Sequence, residues 1–150
     1  GGITESIPLP YVSMESPMYK RGNARPGPTF REVMLMHAVS RIALNPHIKN
    51  IQASWVKLGK EGALSCLNAG VNDMGGTLMN ESISRAAGSI HGQEFEANRM
   101  EEFITSAARK PQLRNTIYES IDSEVNREIA VDLNVNPMQT FMDSAHPVAY

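Results

Sequence analysis

Two short segments of the sequence collect polar residues of the kinds that bind and orient a small polar substrate. The first holds an amide, a hydroxyl and an amine, at Gln52, Ser54 and Lys57. The second holds an amide, a carboxylate, two glycines and a hydroxyl, at Asn72, Asp73, Gly75, Gly76 and Thr77. Amides and hydroxyls suit the alternating donors and acceptors of a heterocycle edge, and a lysine can meet a carboxylate. Paired glycines let the backbone approach a ligand closely.

Three further residues could take part in the same chemistry, namely Glu5, Glu81 and His91. Glu5 stands among apolar residues, where it either forms an ordinary salt bridge or binds a substrate amine or hydroxyl. His91 follows a predicted helix, where an imidazole could hydrogen-bond a substrate or transfer a proton. Glu81 lies four residues before Arg85, and the two could simply pair on a helix surface. These residues are candidates for binding, and the sequence assigns no catalytic residue.

Several of these positions also have an ordinary structural interpretation. Lys57 is equally well explained as a solvated loop residue. The turn 72–77 also has a structural interpretation, as a tight turn with Asx capping that needs no ligand. Trp55 is expected in the core rather than against a ligand. Cys66 is the only cysteine and is expected to be a buried structural thiol. The four histidines lack the spacing of a metal site, so we predict no metal ligands.

The elements that must position these residues follow a strand–helix–strand pattern. Alternating side chains predict a strand over 51–56, and apolar residues at helical spacing predict a helix over 60–69 that ends at Gly70. A second short strand is predicted over 71–74. Repeated units of this kind build parallel sheets and (βα) barrels, whose active sites lie at the carboxyl ends of the strands. We therefore expect the site around residues 54–57 and 72–77.

Further elements are predicted on both sides of this unit. A strand over 3–9 precedes a long loop over 11–28. Thr29 and Glu32 fit a capping box that begins a helix, and Asn45 with Pro46 ends it. Helices are also predicted over 77–87, 96–109 and 119–128, before a loose tail. The apolar face of the capped helix is predicted to be Leu35, Ala38, Val39, Ile42 and Ala43.

Composition excludes several classes of protein. The 150 residues carry a net charge of −2, and the pI is near 6.1, so no basic surface points to nucleic acid. No apolar run reaches the roughly 18–20 residues of a membrane span, and no signal peptide is evident. A single cysteine favours a reducing, cytoplasmic compartment. The chain is too short for a (βα)8 barrel of about 250 residues and starts without Met, so we expect a fragment.

Several segments together resemble the C-terminal part of FO synthase, the radical S-adenosylmethionine enzyme pair that makes the deazaflavin chromophore of coenzyme F420. The resemblance is greatest to the half that transfers a 4-hydroxybenzyl group. It is carried by residues 1–12, 27–44, 50–59 (NIQASWVKLG) and 67–94 (LNAGVNDMGGTLMNESISRAAGSIHGQE), and more weakly by 114–118. Related enzymes of menaquinone biosynthesis share a looser version of the turn 72–77, so the run 78–92 is the more specific part.

This resemblance implies an α/β fold. Residues 1–110 would form the C-terminal portion of a radical S-adenosylmethionine (βα) TIM-type barrel, with parallel strands and alternating helices. Residues 111–150 would form a partly helical C-terminal extension with an irregular tail. Because the whole turn 72–77 matches the family, a ligand-facing role is favoured there.

The resemblance also implies a reaction, its cofactors and its partners. A [4Fe–4S] cluster and S-adenosylmethionine would supply a radical, and L-tyrosine would fragment. Its 4-hydroxybenzyl group would then join C5 of 5-amino-6-(D-ribitylamino)uracil. Such enzymes hold their cluster through a CxxxCxxC motif that this sequence lacks, so we expect the cluster ligands upstream and no activity from the chain alone. The implied partners are the two substrates, the rest of the barrel and the other half of FO synthase, without nucleic acid or membrane.

Two other functions stay open. One is a menaquinone-pathway radical enzyme that acts on a futalosine-type substrate. The other is a non-catalytic binding module, kept from a barrel fragment. Under the barrel interpretation, the isolated chain would expose a strand edge and half a core, so we expect it to be poorly soluble or partly molten.

Overall fold

The computed structural model describes residues 2–77, 82–91 and 94–121. The chain divides into two compact units, Gly1–Pro111 and Gln112–Tyr150. The first is a small α/β unit that contains, in chain order, β1 (Glu5–Ser6), α1 (Pro17–Lys20), α2 (Phe30–Leu44), β2 (Asn50–Ile51), α3 (Trp55–Asn68), α4 (Ile83–Ala86) and α5 (Ala97–Ser106). The described part of the second unit turns back on itself through an antiparallel bridge between Arg114 and Ser120.

Three extended segments of the first unit run side by side in parallel. β1 pairs with β2, so that Glu5 lies opposite Asn50 and Ser6 opposite Ile51. A single parallel bridge between Gln52 and Asp73 adds a further extended segment beyond β2. This stretch around Asp73 is the third segment. Because α2 connects the first pair and α3 connects the second, the carboxyl ends of all three segments lie at the same edge.

The strand predicted over 51–56 is wrong in its second half. β2 ends at Ile51, and helical residues begin at Trp55. The helix α3 has a kink at Gly59, whose φ of 68° and ψ of 176° are not helical. Residues 55–58 are therefore one separate helical turn, and the rest of α3 is the helix predicted over 60–69. Alternation of apolar residues over so few positions cannot distinguish a strand from a helical turn.

Other predicted elements are found in shortened form. β1 covers two residues of the strand predicted over 3–9, and α1 lies within the predicted loop over 11–28. α4 falls inside the helix predicted over 77–87, of which residues 78–81 lie outside the described part. α5 falls inside the one predicted over 96–109. Residues 119–121 are not helical, and the rest of the helix predicted over 119–128 also lies outside the described part.

Local signals set both ends of α2 and the carboxyl end of α3 as predicted. The hydroxyl of Thr29 accepts a hydrogen bond from the Glu32 N–H at 3.3 Å, and the Glu32 carboxylate accepts one from the Thr29 N–H at 2.7 Å. This backbone hydrogen bond lowers the pKa of the Glu32 carboxyl. α2 ends at Leu44, with Asn45 as its C-cap, and α3 ends before Gly70, which has a φ of 103°.

The apolar face predicted for α2 is wrong, because the helix turns that face to solvent. Leu35, Val39 and Ile42 are 52%, 55% and 80% exposed. The opposite side packs inward, and its buried residues are Val33, His37 and Ser40. Apolar residues thus line both sides of α2, so spacing alone could not choose between them.

The core of the first unit is built mainly from β2, α3 and the residues that follow them. Its buried apolar residues are Val33, Ile51, Ala53, Trp55, Val56, Ala63, Cys66, Leu67, Val71, Met74, Phe95 and Met100. Cys66 is fully buried, as predicted, with its sulfur 3.9 Å from that of Met34. Burial raises the pKa of the Cys66 thiol to about 11. None of the helices in the described ranges has the length and apolar character needed to cross a membrane.

Candidate functional site

Four of the predicted site residues meet at the carboxyl edge of the parallel segments. Gln52 stands between Glu5 on one side and Gly75 on the other. With its amide nitrogen toward Glu5, it donates to Oε2 of that carboxylate at 3.3 Å, and its amide oxygen accepts from the Gly75 N–H at 3.1 Å. The Gly75 N–H also donates to Oδ1 of Asp73 at 2.9 Å. Two carboxylates and an amide therefore form one hydrogen-bonded network across three neighbouring segments.

The turn after the third segment depends on glycine at position 75. Gly75 has a φ of 72°, which places its N–H toward Asp73 and Gln52 and strains any residue with a β-carbon. A β-carbon at this position would lie 2.1 Å from the end of the Gln52 side-chain amide. At Gly76, in contrast, a β-carbon would meet nothing within 4 Å, and the residue is exposed. Gly75 and Gly76 together are called the glycine corner below.

A buried aromatic residue fixes the other side of the glycine corner. The indole N–H of Trp55 donates to the carbonyl oxygen of Gly76 at 3.2 Å. Trp55 is 4% exposed, and the edge of its ring system packs against Phe95, with 5.3 Å between ring centroids. The prediction of a core position for Trp55 is therefore confirmed, and its polar atom also holds the corner.

A second group of candidates lies around the first turn of α3. Lys57 donates from its amine to the hydroxyl of Ser84 at 3.2 Å. His91 lies against Gly59, since a β-carbon there would sit 2.9 Å from Nδ1 of the imidazole. The hydroxyl of Ser89 lies 3.5 Å from the carbonyl oxygen of Val56. The segment 82–91 thus packs on the kinked turn that carries Trp55.

Asn72 is placed away from the network at the carboxyl edge. Its side-chain oxygen accepts hydrogen bonds from the Arg41 guanidinium at 2.5 Å and from the Ile51 N–H at 2.9 Å. Arg41 also donates to the carbonyl oxygens of Gly70 at 2.6 Å and of Lys49 at 2.8 Å. Lys49 and Gly70 precede β2 and the third segment, so this group joins the amino ends of the segments. Parallel-barrel enzymes keep stabilising residues at that end.

The remaining candidates are placed as follows. Ser54 is the N-cap residue of α3 and is half-buried, but its side chain makes no capping hydrogen bond. Thr77 is exposed beyond the glycine corner. Glu81 lies outside the described residues, and so does its predicted pairing with Arg85. Ligand binding by any of these residues stays a prediction.

Two residues that matter here were not among the candidates, Arg41 and Ser84. The partners of Arg41 lie up to 31 residues away in sequence, so no local spacing pointed to it. Ser84 is 4% exposed, and a buried hydroxyl requires a hydrogen-bond partner, which Lys57 supplies. Arg41 and Lys57 are basic residues, and a basic side chain that packs against another element needs an acceptor there. That need could have indicated the Arg41–Asn72 and Lys57–Ser84 pairs.

The residues present do not fit an iron–sulfur cluster. Cluster iron is held by cysteine thiolates. The sequence has one cysteine, which is buried on α3 and has a pKa of about 11, so its thiol stays protonated at neutral pH. Within residues 2–77, 82–91 and 94–121, no three His, Cys, Asp or Glu side chains converge as metal ligands would. What the arrangement can do is donate and accept hydrogen bonds to a polar organic molecule.

Comparison with known proteins gives consistent matches over most of the chain. Residues 1–127 match the family model of the CofH/MqnC C-terminal region. The 5-amino-6-(D-ribitylamino)uracil–L-tyrosine 4-hydroxyphenyl transferase of Methanopyrus kandleri is 49% identical over 121 residues, which are 81% of this chain and 33% of that protein. The FO synthase of Streptomyces avermitilis is 45% identical over 130 residues, 87% of this chain and 15% of that protein.

A third relative, the 5-amino-6-(D-ribitylamino)uracil–L-tyrosine 4-hydroxyphenyl transferase 1 of Methanosarcina mazei, is 47% identical over an alignment of 138 residues that covers 87% of this chain and 36% of that protein. The chain thus spans between 15% and 36% of the length of these three relatives.

Proposed function

Because the chain belongs to the CofH/MqnC C-terminal region family, we propose that it forms a substrate-binding part of a radical S-adenosylmethionine transferase. The whole enzyme would join the 4-hydroxybenzyl group of L-tyrosine to 5-amino-6-(D-ribitylamino)uracil in the cytoplasm. The names of the relatives, at 45–49% identity, support this choice of substrates. The single observation that carries the proposal is the network of Glu5, Gln52, Asp73 and Gly75 at the edge where such enzymes bind substrates.

In this proposal the network binds the aminouracil. The amide of Gln52 offers a donor and an acceptor, which is the pattern that a uracil edge presents in return. The carboxylates of Glu5 and Asp73 accept hydrogen bonds from amine and ribityl hydroxyl groups. Lys57 lies on the neighbouring turn, where a cation can attract the carboxylate of tyrosine. These residues bind and orient, and holding two reactants in the correct geometry accounts for much of the rate enhancement of a transferase.

The three parallel segments would be consecutive strands of a (βα) barrel whose other strands belong to the rest of the whole protein. Their order supports this, since each segment pairs with the next and a helix connects them. The [4Fe–4S] cluster and S-adenosylmethionine, when bound, would supply the radical chemistry. The cluster ligands would come from outside this chain, because Cys66 does not fit the role. The other half of FO synthase would be a partner in the whole pathway.

The test uses the full-length protein, reconstituted anaerobically with iron, sulfide and S-adenosylmethionine. We expect L-tyrosine and 5-amino-6-(D-ribitylamino)uracil together to give the joined product, identified by mass spectrometry. Gln52→Met should reduce kcat/KM for the aminouracil by about tenfold, the scale of losing one or two hydrogen bonds to substrate. Asn68→Ala is a matched control, because Asn68 is exposed at the end of α3. An active wild type whose Gln52→Met variant is unchanged would remove the network from the substrate site.

A second candidate function follows from the family itself, since its model covers MqnC as well as CofH. Under that alternative, the same edge binds a futalosine-type substrate. Adding such a substrate to the same reconstituted enzyme distinguishes the two. Product from the futalosine-type substrate, with none from tyrosine and the aminouracil, would replace our proposal with this one.

A further inference from the structure

The single tryptophan of the chain makes one polar contact with a distant part of the sequence. Trp55 is nearly fully buried, and its rings pack edge-on against Phe95. A buried indole N–H needs an acceptor. The acceptor here is the carbonyl oxygen of Gly76, 21 residues later in the sequence, at 3.2 Å. The bond therefore links the first turn of α3 to the glycine corner.

The glycine corner is held from two directions. Asp73 and Gln52 accept from the N–H of Gly75, on the side of the carboxyl-edge network. The Trp55 indole donates to the carbonyl oxygen of Gly76, on the side of the core. Gly76 itself is exposed, and a β-carbon on it would meet nothing within 4 Å. Within the described residues, loss of the indole bond would leave the Gly75 N–H to hold the corner by its bonds to Asp73 and Gln52.

From this geometry we propose that Trp55 is a positioning residue for the aminouracil substrate. The indole N–H fixes the conformation of the glycine corner, and the corner in turn places Gln52 and Asp73 at the substrate edge. This inference rests on the proposed function. It assigns to Trp55 a role that is separable from its packing, because a ring of the same shape without the N–H would fill the core and leave the corner free to turn.

The test replaces Trp55 in the full-length reconstituted enzyme by β-(3-benzothienyl)alanine, which has sulfur in place of the N–H. Losing one neutral hydrogen bond should raise KM for the aminouracil about five- to tenfold. We expect kcat and KM for tyrosine to stay within about twofold of the wild type, since the reacting groups are untouched. The melting temperature should change little, because the ring still packs on Phe95. A 7-azatryptophan variant keeps the N–H and should restore the KM of the wild type.

The outcomes separate the possibilities. An active wild type and a benzothienyl variant with unchanged aminouracil KM overturn the inference and leave the proposed function standing. An equal rise in KM for the 7-azatryptophan variant also overturns it, since the N–H is then not the cause. A wild type that makes no product from the two substrates overturns the proposed function, and this inference with it.

Discussion

The side chain of Gln52 ends where a β-carbon on residue 75 would have to lie. The distance from that position to the nearest atom of the Gln52 amide is 2.1 Å, well inside van der Waals contact. The same amide reaches Glu5 on its other side. Gly75 and Gln52 therefore depend on each other, because the glycine leaves room for the amide and the amide accepts from the glycine N–H.

Replacing Gly75 by alanine should disrupt this arrangement. A β-carbon at a φ of 72° costs about 1–2 kcal/mol of backbone strain, and it also forces Gln52 out of its place. In the full-length enzyme we expect kcat/KM for the aminouracil to fall by about tenfold to a hundredfold, since small displacements of binding groups are costly. Steady-state kinetics measure this. Gly76→Ala is the matched control and should be near neutral, because the space around it is open.

Removing the guanidinium of Arg41 should destabilise the protein. Arg41→Met deletes hydrogen bonds to Gly70, Lys49 and Asn72, and we expect a loss of about 2 kcal/mol or more in the free energy of unfolding. Thermal unfolding of the full-length protein checks this. Lys49→Ala should be close to wild type, since Lys49 contributes only its carbonyl oxygen. Equal melting temperatures for wild type and Arg41→Met would contradict the structural role assigned to Arg41.

Stability should decline in alkaline solution because of Cys66. The pKa of this thiol is about 11 in the folded chain, against an ordinary value of 9.0. Between these values the unfolded chain releases the proton and the folded chain keeps it, so rising pH favours unfolding. The contribution is complete below about pH 9 and is lost on rising toward pH 11.

The measurement for Cys66 compares melting temperatures at pH 8 and pH 10. The wild type should lose more than a Cys66→Ala variant, whose side chain does not titrate. A second check is alkylation of Cys66 at pH 8, followed by peptide mapping. A rate as fast as that of free cysteine would show that the thiol is neither buried nor shifted.

The isolated chain should associate through the outer face of α2. Leu35, Val39 and Ile42 are more than half exposed, and contiguous apolar surface of this kind favours aggregation. We expect the isolated chain to bind a hydrophobic dye and to sediment as aggregates. Val39→Glu with Ile42→Lys should reduce both effects. The same charges placed at two exposed positions of α5, Asn98→Glu with Thr105→Lys, should not. A monomer with one sharp thermal transition would contradict this prediction.

The sequence alone predicted the helix ends that depend on contacts between residues close together in the chain. The capping box of Thr29 and Glu32 and the stop at Gly70 were both predicted, because each involves atoms a few residues apart. The turn at Trp55 was mistaken for strand, since its helical state depends on the kink at Gly59 and on the packing of Phe95. Local alternation carries no information about either.

The site was predictable in part for the same reason. Asp73 and Gly75 lie within 72–77, where the site was expected because parallel segments bring their carboxyl ends together. Glu5 and Gln52 were named for the chemistry of their side chains. Asn72, only one residue before Asp73, faces the Arg41 guanidinium instead. The path of the third segment decides that Asp73 joins the network and that Asn72 binds at the amino ends of the segments. That path follows from long-range hydrogen bonds rather than from residue type.

The way in which Arg41 binds also sets which positions are free to vary over evolutionary time. At position 49 the acceptor is a main-chain carbonyl, so any residue can stand there without losing the bond. At position 70 a β-carbon would lie 2.8 Å from the Arg41 side chain, so a larger residue must arrive together with a change at 41. Position 72 must keep a side-chain acceptor to retain its bond with Arg41. Among homologues, positions 41, 70 and 72 should therefore change as a set, while position 49 drifts on its own.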